Sequence, residues 1–172
     1  MPHQEAAMTR NHIIVGLDDS PSGRAALRWA AQHALLAGSV LRAIHVLDWP
    51  YSSARPGVDI TPATMDEIES AYRTNITNVF QEIGPRRDWS MEFLRGEPGP
   101  ILVRESKGAQ LLVIGTREHV GLGRLLVGSI SHYCLSHASC PVVAVPAEAF
   151  NAPNADSDPA DHVGAPGQAD AS

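Results

Sequence analysis

Short apolar runs alternate along the chain with longer amphipathic stretches. His12 to Leu17 (HIIVGL) is a near-continuous apolar run, the pattern of a strand covered on both faces. Ser20-Pro21 then reads as a helix start, serine as N-cap and proline at the first helical position, with the helix expected to reach about Ala37 and Gly38 ending it. Ala26, Leu27, Ala30, Ala34 and Leu35 turn one face of that helix toward a sheet, and Arg24, Arg28 and Gln32 lie elsewhere. Val40 to Leu47 predicts a second strand, Trp49 to Pro62 a loop able to cover strand ends, and Met65 to Ile83 a long helix stopped by Gly84-Pro85. Trp89 to Arg95 predicts a third strand, and Gly96-Glu97-Pro98-Gly99-Pro100 leads into a short helix ending near Lys107-Gly108. Gln110 to Ile114 is the fourth strand, Ser129 to His137 the last helix and Pro141 to Val145 the last strand. Strands alternating with helices imply an α/β, doubly wound five-stranded parallel sheet with helices on both faces.

The region around Gln110 to Pro146 carries the candidate chemistry. Gly115 ends an apolar strand, where a positive φ would let the chain turn away and a ligand approach the backbone. Gly121, Gly123 and Gly128 follow, and Ser129 opens a helix, so exposed amides and a helix N-terminus would converge on an anion. Twelve residues separate Gly115 from Gly128, and no Lys-Ser/Thr pair closes the loop, which excludes a Walker-type phosphate loop.

Together with His12-Ile-Ile-Val-Gly-Leu-Asp18-Asp19-Ser20, this region resembles the universal stress protein family from about Asn11 to Pro146. ATP-binding members of that family carry a glycine, two residues, a second glycine, nine residues and then Gly-Ser or Gly-Thr; here that frame falls on Gly115, Glu118 and Gly128-Ser129. The strand ending in His45-Val46, Ser131, and Ser139-Cys140-Pro141-Val142-Val143-Ala144-Val145 match as well. The resemblance implies strand order 3-2-1-4-5, and ligands in such sheets bind at the switch point between strands one and four. It implies an adenine nucleotide, ATP, met there by Gly16, Asp18, Val46, Gly115, Arg117, Glu118, Gly128, Ser129, Ile130 and Ser131. It also implies a homodimer joined through the last strand, Pro141 to Val145.

Glu118 departs from the pattern, standing where the binders have their second glycine. A carboxylate about 5 Å from a phosphate charge, at an effective dielectric near 20, is repelled by about 3 kcal/mol, on the order of a hundredfold in affinity. A bound Mg²⁺ would turn Glu118 into a ligand, and Arg117 and Arg124 would supply compensating charge. The alternatives are thus an ATP-responsive binding module and a nucleotide-free dimeric interaction protein of the same fold.

Other chemistries find less support. Asp18 can accept from ribose hydroxyls or cap the next helix, a task Ser20 performs better; Ser129 and Ser131 can donate to phosphate or cap the last helix. Cys134, His137 and Cys140 have a Cys-x2-His-x2-Cys spacing but no fourth ligand nearby, so a packed helix end is expected rather than zinc. Asp18 and Asp19, adjacent at a strand end, point apart, and His119 and His132 read as exposed histidines. No Gly-x-Ser-x-Gly elbow or nucleophile–base pair stands out, so an enzyme is not expected and a slow ATPase is the least favoured reading.

Composition bounds the rest. The net charge is −6, but Glu148, Asp156, Asp158, Asp161 and Asp170 lie near the C-terminus, where no Lys or Arg occurs, leaving the body near neutral. Without a basic stripe, nucleic acid is not an expected partner. No apolar run is long enough for a membrane span, and Met1 to Arg10 lacks a signal-peptide core, so no membrane partner and a cytoplasmic location are expected. Residues 1–10 are expected to be a flexible N-terminus, 11–146 one domain, and 147–172, poor in large apolar residues, a disordered acidic tail.

Overall fold

The computed structural model describes residues 11–48, 62–116 and 128–150. The elements run β1 (His12–Gly16), α1 (Pro21–Ala37), β2 (Val40–Leu47), α2 (Pro62–Gln81), β3 (Ser90–Arg95), α3 (Pro98–Glu105), β4 (Leu111–Thr116), α4 (Ser129–His137) and β5 (Val142–Pro146). All strand pairs are parallel, and the order is β3-β2-β1-β4-β5, as expected. Strand order reverses at β1, which lies between β2 and β4, so their C-terminal ends frame a crevice.

The start of α1 follows from its sequence. Ser20 is the N-cap and its hydroxyl accepts from the Gly23 amide at 3.0 Å, while Pro21 sits where no amide donor is needed. Gly38, with φ of 62°, occupies the left-handed region at the other end and closes the helix. Leu27, Ala30, Ala31 and Ala34 are buried at helical spacing, and Leu35, expected on that face, is 55 % exposed.

The sheet separates two apolar layers. Ile13, Val15, Leu41, Ala43 and Val113 pack with α1 and with Ile76, Val79 and Phe80 of α2. Ile14, Ile44, Leu112 and Ile114 pack on the opposite side with Leu102 of α3 and Cys134 of α4. Strand alternation thus serves two buried faces, which explains the nearly unbroken apolar runs. Past Pro146 a 3-10 turn, Ala147–Phe150, lies against α1, four residues into the segment expected to be a tail.

Candidate functional site

A cavity of about 470 Å³ opens where β1, β2 and β4 end. Gly16, Leu17 and Asp18 line it from the exit of β1, Ile44 to Asp48 from β2, and Ile114 and Gly115 from β4. The N-terminal ends of three helices contribute Ser22 and Gly23, Pro98 and Leu102, and Gly128 to Ser131, while Ile68 and Tyr72 of α2 close one side. Eight of the ten residues expected at the site, Gly16, Asp18, Val46, Gly115, Gly128, Ser129, Ile130 and Ser131, therefore line a single cavity. Arg117 and Glu118 lie outside the described residues.

The turn after β1 is built around Asp18. Its Oδ1 accepts from the Ser20 amide at 3.1 Å and from the Ser20 hydroxyl, the same hydroxyl that caps α1. A Cβ at Gly23 would lie 2.0 Å from that oxygen, so only glycine at 23 leaves room for the carboxylate. Asp19 turns toward α2, where Asn75 Nδ2 donates to it at 3.2 Å. Asp18 thus orients the capping serine while standing on the cavity wall.

The glycines differ from expectation in an informative way. Gly115 does not have a positive φ; it remains within β4. A Cβ there would meet the Ser22 carbonyl carbon at 2.7 Å and the Gly23 nitrogen at 2.9 Å, so this glycine admits the N-terminus of α1 against the sheet. Gly16 likewise admits Leu102, whose Cδ1 would be 2.9 Å from a Cβ. Gly128, the N-cap residue of α4, has nothing within 4 Å of an added Cβ.

The first intrahelical bond of α4 is His132 N–H to Gly128 C=O at 2.8 Å, and no side chain caps the helix. The amides of Ser129, Ile130 and Ser131 therefore precede the intrahelical ladder at the cavity, where the helix dipole favours negative charge. Ser131 is 4 % exposed and its hydroxyl donates to the Gly115 carbonyl at 2.9 Å, tying α4 to β4 rather than capping the helix. Ser129 is the first helical residue, so neither serine fills the N-cap role.

The opposite side of the cavity is more apolar. Ile68 is 45 % exposed and lies one helical turn before Tyr72. The His45 ring contacts Tyr72 (centroids 5.2 Å apart) and Phe93 (5.8 Å). Burial lowers the His45 pKa, and burial followed by the charges of Asp19 and Asp18 raises that of Tyr72.

Gly23, His45, Ile68 and Tyr72 were absent from the expected set. Gly23 carried a signal, since glycine in a first helical turn is disfavoured without a close contact. His45 carried one too, as a polar residue at an inward position of an apolar strand. Nothing in the sequence placed α2 against the cavity. Cys134 is buried, which raises its pKa to about 11, and the His137 ring stacks on Tyr133 and bonds the Tyr133 carbonyl at 2.9 Å.

An open parallel α/β sheet with a helix N-terminus and an acidic residue at its switch point defines the class. Residues 9–146 match the family model described as universal stress protein family, and the chain belongs to that family. A universal stress protein of Mycobacterium tuberculosis (strain H37Rv) is 34 % identical over 143 residues, 77 % of this chain and 46 % of its own length. The chain thus spans about half the length of the curated relatives it matches. A universal stress protein solved in complex with cAMP is 22 % identical, with TM-score 0.55, covering 80 % of this chain and 97 % of that one. The universal stress protein of Archaeoglobus fulgidus in complex with dAMP is also 22 % identical, with TM-score 0.53, covering 77 % and 95 %. At these identities the solved structures show a shared fold.

Proposed function

We propose that the protein is a cytoplasmic stress-response module that binds an adenine nucleotide at the switch point and changes its interactions accordingly. The reading rests chiefly on one observation: the uncapped N-terminus of α4 opens into the same cavity that Asp18 enters from β1. The α4 end suits phosphate, Asp18 suits ribose hydroxyls, and the apolar side between β2 and α2 suits a base. The cAMP and dAMP complexes of proteins with this fold favour the same ligand class. ATP with Mg²⁺ is the form proposed here, the metal screening Glu118 from the phosphates. The working assembly is a homodimer, and no catalytic step is assigned.

Glu118 supports a second reading, in which the fold persists as a nucleotide-free dimeric interaction protein. Calorimetry with ATP, with and without Mg²⁺, on the wild type and Glu118→Gly separates the two. The nucleotide reading expects weak or Mg²⁺-dependent binding by the wild type and binding about a hundredfold tighter by the variant without metal, the factor set by charge repulsion. Equal metal-free affinities would refute the repulsion, and no binding by either protein would leave the interaction reading standing.

A further inference from the structure

His45 is 5 % exposed on the sheet face shared with Leu41, Ala43 and Leu47, a position where strand alternation places apolar side chains. Its ring bonds to the backbone of the β1 exit: Nδ1 lies 2.7 Å from the carbonyl oxygen of Leu17. A carbonyl only accepts, so Nδ1 carries the proton. The registered β1–β2 ladder ends at Gly16 and Ile44, and the Leu17 amide still donates to the Ile44 carbonyl at 2.9 Å. Leu17 is thus fastened to β2 on both sides, through backbone by its amide and through His45 by its carbonyl. The next residue is Asp18, whose carboxylate organises Ser20 and faces the cavity.

We propose that His45 is the positioning residue of the switch point: its Nδ1–H holds the Leu17 carbonyl and so fixes the turn that presents Asp18 to the cavity. Tyr72 on α2 and Phe93 on β3 hold the imidazole plane from neighbouring elements. An imidazole there costs desolvation that leucine would not, and the bond to Leu17 is the return. Only the consequence for ligand affinity rests on the adenine-nucleotide reading.

Amide hydrogen exchange of the full chain tests the role without ligand. His45→Leu keeps an apolar packing volume and removes the donor, whereas His45→Asn keeps a nitrogen on Cγ, as Nδ1 is. The Ser20 amide should exchange about tenfold faster in His45→Leu and regain protection in His45→Asn, both measured where the variants are folded. Should His45→Leu not fold, His45→Met, which also has no donor and adapts its shape to the site, replaces it. Unchanged Ser20 exchange on loss of the donor, or no rescue by asparagine in a folded protein, would overturn the proposal. Calorimetry with ATP adds the ligand arm: His45→Leu should bind about tenfold more weakly, and adding Asp18→Ala should cost less than it does in the wild type. Fully multiplicative losses would show that His45 does not act through Asp18. A wild type that binds no ATP would refute the nucleotide reading and leave the exchange result to decide on His45.

Discussion

Gly115 and Gly128 stand at the two ends of the same glycine frame and do different jobs. At Gly115 an added Cβ meets backbone atoms of Ser22 and Gly23 below 3.0 Å, and backbone at a helix start cannot retreat without moving α1. At Gly128 the same atom enters open space. Gly115→Ala should therefore destabilise the protein by about 1–3 kcal/mol through overpacking, and Gly128→Ala should leave stability unchanged while weakening ATP binding at the mouth of α4. Thermal melts and calorimetry on both variants check the separation. A Gly115→Ala protein that melts with the wild type would show that the approach of α1 relaxes freely. The frame was legible in the sequence, but the role of Gly115 was not: its reason lies in Ser22 and Gly23, some ninety residues away along the chain. The partner of His45 was hidden in the same way, since Leu17 lies just past the end of another strand.

The elements were more legible than their contacts, because strand runs, Ser20-Pro21 and Gly38 are local signals that fix starts and stops. The helix expected from Met65 begins instead at Pro62 and stops at Gln81, and the last strand is shifted to Val142–Pro146. Pro62 supplies a favoured first-turn residue that the apolar periodicity alone did not reveal. The 3-10 turn at Ala147–Phe150 escaped notice because its composition is that of the segment after it, and its place depends on α1. A chain ending at Phe150 should melt within about 2 °C of the full chain, whereas one ending at Pro146 should melt several degrees lower, on the order of 1 kcal/mol for a domain of this size. Coincident melts for all three chains would show that the contact with α1 contributes nothing.

At the scale of the whole molecule, β5 is the sheet edge beyond β4, and Val142, Val143 and Ala144 are only half-buried. The Leu112 amide donates to the Pro141 carbonyl at 3.0 Å, with Leu112 registered against Val142. In a parallel ladder this places the amides of Val143 and Val145 toward β4, and those of Val142 and Ala144 toward the open edge. An apolar edge whose outward amides meet no strand among the described residues invites pairing with a second copy, and a two-fold antiparallel arrangement would satisfy both edges at once. The chain should therefore form a homodimer, and Ala144→Pro should weaken it by removing an outward donor while sparing the bonds to β4. Val143→Pro would be a poorer probe, because its amide belongs to the monomer's own ladder. Light scattering after size-exclusion chromatography reports the assembly, with circular dichroism showing that the variant remains folded. A wild type that stays monomeric at micromolar concentration would refute edge pairing, and a folded Ala144→Pro protein that dimerises as tightly as the wild type would place the contact elsewhere.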